Sequence, residues 1–127
     1  MALPVPVEPS RRVAVVDDSD AVRLSLRLLL GRRGFQVHTF ATAADLLAGL
    51  AEAEYDCFVI DFKLEDGDGF EVLAKIRQGG FEAPAIMISG WDSGTLEGRS
   101  QKAGFAAFVR KPMLETSLAD VLDQVLG

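Results

Sequence analysis

Cys57-Phe58-Val59-Ile60-Asp61 decides the fold. Four apolar residues run without a polar break and end on a carboxylate. The run is too short for a helix and is apolar on both faces, as a strand covered on both sides must be. Three more runs read alike: Val13-Ala14-Val15-Val16, Ala85-Ile86-Met87-Ile88 and Ala106-Ala107-Phe108-Val109. A fifth segment, Phe35-Gln36-Val37-His38-Thr39-Phe40, is half polar and suits an edge strand.

Helical stretches separate these runs. Ser19 or Asp20 can cap a helix reaching about Arg33, with Val22, Leu26 and Leu29 on one face and Gly34 as its stop. Thr42 can cap a second, with Leu46, Leu47 and Leu50 inward. Phe70, Leu73 and Ile76 mark a third, closed by Gly79-Gly80. Residues 93–103 form a weaker fourth, because they carry Gly94 and Gly98. Residues 114–126 form the last, with Leu118, Val121, Leu122 and Val125 as its apolar stripe. The alternation predicts an α/β fold of five β-α units. Right-handed crossovers then put helices on both faces of a five-stranded parallel sheet, a doubly wound arrangement.

Composition agrees and excludes other classes. The 127 residues are 49% hydrophobic and 25% charged, which fits one ordinary globular domain. No apolar run approaches the ~20 residues that a membrane-spanning helix needs. The first ten residues, with three prolines, read as a flexible N-terminal tail, and residues 11–127 as the domain. They show no secretory leader, and the single cysteine, Cys57, points to a reducing cytoplasm. A single cysteine excludes a disulfide framework and reads as a small buried hydrophobe. A net charge of -6 argues against nucleic-acid binding by this domain. The pairs Arg11-Arg12 and Arg32-Arg33 read as solvated charge, and His38 as an edge-strand residue.

The residues just past each apolar run carry the chemistry. Val16 leads to Asp17-Asp18, Ile60 to Asp61, Ile88 to Ser89, and Val109 through Arg110 to Lys111-Pro112. Parallel strands end on one edge, so three carboxylates, a hydroxyl and an ammonium converge beyond the sheet. Clustered carboxylates repel and raise one another's pKa unless a cation joins them. Mg²⁺ suits such a set: it takes one or two carboxylates, keeps waters and binds phosphate oxygens. Lys111 and Ser89 fit as further contacts to a phosphoryl group. Asp61 is then the best-placed nucleophile for in-line attack, giving an aspartyl-phosphate.

This constellation, Asp17-Asp18, Asp61, Ser89 and Lys111-Pro112, resembles the receiver domain of bacterial two-component response regulators, the CheY-like superfamily. The resemblance spans about Arg12 to Leu126. It implies a flavodoxin-like strand order of 2-1-3-4-5. It implies that Asp61 accepts phosphate from a histidine kinase or phosphotransfer protein, in a phosphorelay that switches a protein-interaction surface. Asp18, Asp61 and the Lys63 carbonyl would hold Mg²⁺ (or Mn²⁺), with Asp17 acting through a bound water. Lys111 would pair with the phosphoryl group, and Pro112 is the expected cis-proline. Ser89 and Phe108 would be the switch pair, and Gly67 and Gly69 match the turn after the acceptor strand. Where the family usually carries Met-Pro, this chain has Leu64-Glu65, and the missing ring predicts a looser loop. Lys63 and Trp91 are expected to act as a partial lid over the phosphate.

Two other readings compete. Asp18-Ser19-Asp20-Ala21-Val22 fits the opening motif of haloacid dehalogenase-like phosphatases, with Asp18 as nucleophile; only Glu115, Asp120 and Asp123 follow Lys111 as acids, on an expected helix. An unphosphorylated receiver-like interaction module is the other, and it gives no reason for the full acidic set. No phosphate-cradling loop follows the first strand, which disfavours a flavodoxin-like cofactor binder. The receiver reading is of a regulator, not an enzyme, beyond promoting its own phosphorylation and dephosphorylation. Its partners would be a kinase or phosphotransfer protein and either a downstream protein or an absent output domain. The methionine start and finished last helix favour a stand-alone regulator over a piece of a larger one. Arg99, Lys102, Asp120 and Asp123 could supply charges to a phosphorylation-dependent homodimer.

Overall fold

The computed structural model describes residues 10–90, 94–111 and 117–127. Residues 1–9 of the expected tail, Trp91 and Pro112 lie outside the described residues. Ten main elements alternate: β1 (Arg12–Val16), α1 (Asp20–Arg32), β2 (Gln36–Phe40), α2 (Ala43–Gly49), β3 (Cys57–Asp61), α3 (Gly69–Gln78), β4 (Ala85–Ser89), α4 (Leu96–Ala103), β5 (Ala107–Arg110) and α5 (Ser117–Leu126). The five strands form one parallel sheet in the order β2-β1-β3-β4-β5. The order reverses beside β1, which opens a crevice at the carboxyl ends of β1 and β3.

Alternate residues of each strand feed opposite cores. Val13, Val15, Cys57, Val59, Ile86 and Ile88 meet Leu26 and Leu30 of α1 and Leu118 and Leu122 of α5. Ala14, Val16, Phe58, Ile60 and Met87 meet Leu46, Leu73, Ile76 and Leu96 from α2, α3 and α4. Both faces are therefore dry, which is why the central strands read as unbroken apolar runs. Each fully buried large side chain contributes roughly 1.5–3 kcal/mol by leaving water. The edge strand β2 is only half-buried, as its mixed sequence predicts.

The helix ends follow local chemistry. Ser19 caps α1, its hydroxyl accepting from the Val22 amide at 3.3 Å. Gly34, at φ +93°, ends that helix in the left-handed region open to glycine. On α1 Leu26 and Leu30 are buried and Val22 packs beside them, while Leu29 is only half-buried, so the expected face holds except at its last position. α4 begins at Leu96, because Gly94 at φ +78° and Thr95 lie outside it, so the expected start at 93 is too early; α5 is described from Ser117, and its expected start at 114 falls outside the described residues. One feature the periodicity did not predict lies between β3 and α3. Lys63–Leu64 pairs with Gly67–Asp68 in a two-residue antiparallel bridge.

Candidate functional site

Register brings the acids together. Val16 stands beside Ile60, and Asp61 beside Ile88, so Asp17 and Asp61 emerge abreast from neighbouring strands. Carboxylate oxygens of Asp17, Asp18 and Asp61 all lie within 4.8 Å of one another. Asp17 is fully buried and Asp61 is 5% exposed, while Asp18 faces solvent. The next strands add the remaining pair. The Lys111 amide donates to the Ser89 carbonyl at 2.9 Å, extending the sheet ladder one step beyond β5. From there its Nζ reaches Asp17 Oδ2 at 2.7 Å and Asp61 Oδ2 at 3.2 Å. Ser89 is buried at the end of β4.

The backbone around the acids is fixed by named contacts. The Asp17 amide donates to the Phe40 carbonyl at 3.1 Å, and Asp17 Oδ1 accepts from the Ser19 amide at 2.9 Å. The Arg23 guanidinium donates to the Asp17 carbonyl at 2.6 Å and pairs with Asp20. Beyond Asp61, the Phe62 amide donates to the Ile88 carbonyl at 2.9 Å, and the Phe62 carbonyl accepts from Gly69 at 2.8 Å. Gly69 has to be glycine for a steric reason. A Cβ there would lie 3.0 Å from the Asp61 carbonyl oxygen, 3.0 Å from Met87 Cε and 3.3 Å from Ile60 Cγ2. Phe62 also stacks edge-on against Phe70 at 5.6 Å, under the Arg99 guanidinium, which sits 5.0 Å from the Phe70 ring.

Electrostatics follow from the crowding. Burial pushes the Asp61 carboxyl up to about 6, the Asp17 and Asp18 charges add to this, and Lys111 opposes it. Burial works against the Lys111 ammonium, but the Asp17 and Asp61 carboxylates outweigh it and hold its pKa above the ordinary value. Asp17 Oδ2 is enclosed and pairs with the Lys111 ammonium. Three carboxylates share this one ammonium, and one of them is held toward neutrality, so the pocket is short of positive charge. All-oxygen donors of this kind suit a hard dication. The residues present therefore fit Mg²⁺.

Lys63, expected at the cleft, has an exposed side chain and pairs through its backbone with Asp68. Phe108 is half-buried beside a shallow groove of about 180 Å³ between α4 and β5, also lined by Phe105. The loop that carries Glu65 touches α2 at the next residue. Asp66 accepts from the Ala43 and Ala44 amides at 3.0 and 3.1 Å, and these bonds hold its carboxyl below the ordinary range. Neither this tether nor the Arg23 contact was found from sequence, since each joins residues whose spacing follows no motif.

One charge expectation is corrected: the arginine pairs are not merely solvated. Arg11 donates to the Leu126 carbonyl and Arg12 to the Glu54 carbonyl, while Arg33 pairs with Asp120 at 3.2 Å and Asp123 at 2.6 Å, acids that stay more than half exposed. Cys57 is buried, its thiol pushed up to about 12, as expected of an inert core residue. His38 Nδ1 lies 2.9 Å from the Tyr55 hydroxyl on the edge strand.

Comparison with known proteins gives one consistent result. Residues 13–123 match the response regulator receiver domain family. The chain is 34% identical over 111 residues to the C4-dicarboxylate transport transcriptional regulatory protein DctR of Rhodobacter capsulatus, covering 86% of this chain and 56% of that protein. It is 29% identical over 112 residues to the transcriptional regulatory protein FixJ of Rhizobium meliloti, covering 88% of this chain and 55% of that protein. The chain thus spans about half the length of the curated relatives it matches. Among solved structures, a CheY-like receiver domain protein from Methanospirillum hungatei superposes with a TM-score of 0.85 at 29% identity, covering 93% of this chain and 94% of that one.

Proposed function

This chain belongs to the response regulator receiver domain family, and on that premise we propose that Asp61 is its phosphoacceptor, served by Asp17, Asp18, Ser89 and Lys111. Receiver domains are phosphorylatable, regulatory modules of two-component systems, and their family works with histidine kinases and output domains. The finer assignments for this chain are ours. The observation that carries them is the meeting of three carboxylates and Lys111 Nζ around the end of β3.

Asp18, Asp61 and the Lys63 carbonyl would hold Mg²⁺, with Asp17 acting through a bound water. The ion would neutralise the acids and draw the oxygens of an incoming phosphoryl group toward Asp61. An Asp61 carboxylate oxygen attacks phosphorus, and the bond from phosphorus to the donor nitrogen or oxygen breaks in line. Lys111 leaves its pairing with Asp61 to neutralise a phosphoryl oxygen, and the Ser89 hydroxyl donates to another. The product adds about -1.5 to -2 charge and strong acceptor oxygens. Ser89 and Lys111 gain those acceptors only in the phosphorylated state, so they bias the surface of α4, β5 and α5, with Phe108 following Ser89. Lys63 and Trp91 would partly cover the phosphate and slow attack by water, and Pro112 would be cis and aim Lys111 inward. The chain would work in the cytoplasm. Consistent with that, no described helix is long and apolar enough to cross a membrane.

Intact mass after incubation with a small phosphodonor tests the reading, with and without Mg²⁺, on wild type and Asp61→Asn. One added phosphoryl group that needs both Mg²⁺ and Asp61 is the expected result. Phosphate appearing on Asp61→Asn would move the nucleophile to Asp18 and favour the phosphatase chemistry. No phosphate from any small donor or kinase would leave an unphosphorylated interaction module.

A further inference from the structure

Asp66 makes two contacts that the proposed chemistry does not use. Its side chain leaves the turn after β3 and accepts from the first two amides of α2, Ala43 to Oδ1 at 3.0 Å and Ala44 to Oδ2 at 3.1 Å. Thr42 Oγ1 takes the third amide, from Asp45, at 3.1 Å. The opening amides of a helix have no partner within it and are usually served by the cap next to them. Here the work is divided between that cap and a carboxylate from another loop. Thr42 closes the helix end, and Asp66 joins the helix end to something else.

That something else is the segment leading out of the acid site. Its two ends are anchored to the sheet and to α3: Phe62 bonds to Ile88 and to Gly69, and Leu64 is buried. Among the described residues the Lys63–Leu64 strand is paired only with Gly67–Asp68, a bridge two residues long. Glu65 at its tip is exposed and lacks the ring that would stiffen the turn. The two Asp66 bonds therefore fix the tip of the same short hairpin that carries Lys63.

We propose that Asp66 is a positioning residue, which clamps the β3–α3 hairpin to the start of α2 and so holds the Lys63 carbonyl in place for Mg²⁺. This rests on the reading of Asp61 and Lys63 given above. Groups that orient metal ligands without touching the ion govern affinity because they set where the ligand rests before binding. A simple capping role would predict something different: only α2 would suffer when Asp66 is lost.

Thr42→Ala separates the two, because it weakens the same helix end without touching the hairpin. Wild type, Asp66→Ala, Asp66→Asn and Thr42→Ala, each as the full chain, are titrated with Mg²⁺ by calorimetry. Amide exchange is followed in the metal-free proteins. Asp66→Ala is expected to weaken Mg²⁺ about tenfold and to speed exchange of the hairpin amides, while added Mg²⁺ restores its phosphorylation by a small donor. Asp66→Asn keeps an accepting oxygen and falls between. Thr42→Ala melts earlier but keeps both Mg²⁺ affinity and hairpin exchange near wild type. Equal Mg²⁺ affinity in Asp66→Ala and wild type overturns the proposal, as does equal weakening by Thr42→Ala. Should Asp66→Ala fail to fold, Asp66→Asn with wild-type exchange and affinity overturns it as well. Wild type that takes neither Mg²⁺ nor phosphate would instead overturn the reading of the acid cluster, and this proposal with it.

Discussion

Replacing Asp61 by Asn should make the metal-free protein more stable at pH 8. The carboxyl sits at about 6 in the folded chain against an ordinary 3.8. In the unfolded chain it ionises near the ordinary value. Below pH 3.8 both states hold the proton and the group costs nothing. Between 3.8 and about 6 only the folded state holds it, so stability falls as pH rises through this window. Above pH 6 the cost is complete. Two decades of proton affinity correspond to about 3 kcal/mol. That figure is a ceiling, because the cleft opens to solvent and the Asn variant also loses the attraction of Lys111 for Asp61. A gain of about 1–2 kcal/mol is the working expectation, or roughly 4–8 °C in Tm for a domain of this size.

The assay is thermal and urea unfolding of wild type and Asp61→Asn in a chelating buffer at pH 8, 6 and 4. The gap should be widest at pH 8 and close toward pH 4. Added Mg²⁺ should then stabilise wild type more than the variant, since the ion relieves a repulsion the variant no longer has. An Asp61→Asn protein that melts at or below wild type at pH 8 would refute the reasoning. So would a gap that stays constant from pH 8 to pH 4, because only an ionisation confined to that window produces the closure.

Lys111→Met should cost about 2–4 kcal/mol at pH 8 in urea unfolding, by leaving buried Asp17 and Asp61 without their cation. Adding Asp61→Asn to it should recover part of that loss, and strictly additive effects would count against the coupling. Gly69→Ala should destabilise by about 1–3 kcal/mol and lower the rate of phosphorylation, since the new methyl meets the Asp61 carbonyl; wild-type stability would show that α3 can shift freely. Alanine at both Lys63 and Trp91 should shorten the phosphate lifetime followed by intact mass, and an unchanged lifetime would dispose of the lid.

The parts of this molecule legible in its sequence are those governed by short-range rules. Val13 to Val16 and Cys57 to Ile60 had to be covered on both faces, and they are. Parallel strands share one carboxyl edge, so Asp17, Asp61, Ser89 and Lys111 could be placed together without knowing a single distance. On α1 Val22 and Leu26 were placed rightly, but the last inward position was missed by one because Leu28, Leu29 and Leu30 are equally apolar, and only packing on the sheet selects Leu30. Asp66 on α2, Arg23 on the Asp17 carbonyl and Arg33 on α5 were out of reach. Each is a polar contact between segments, and a polar side chain at the surface reads the same whether or not it finds such a partner.

Asp61 and Cys57 end and begin the same strand, and the contrast between them explains where the chemistry sits. Burial raises the pKa of both, the thiol to about 12 and the carboxyl to about 6. At the amino end, Cys57 lies within the sheet among Val13 and other apolar neighbours, and its raised pKa only makes it inert. At the carboxyl end, the segments that leave β1 and β5 bring two more acids and an ammonium to Asp61. The same desolvation there holds a carboxylate in an unfavourable state beside groups that a cation or a phosphoryl oxygen would satisfy. Backbone contacts hold those groups together: Arg23 donates to the Asp17 carbonyl, the Phe62 amide to the Ile88 carbonyl and the Lys111 amide to the Ser89 carbonyl. A carboxylate that destabilises the resting fold is therefore the feature that makes the site responsive: whatever relieves it gains the free energy that the fold has given up.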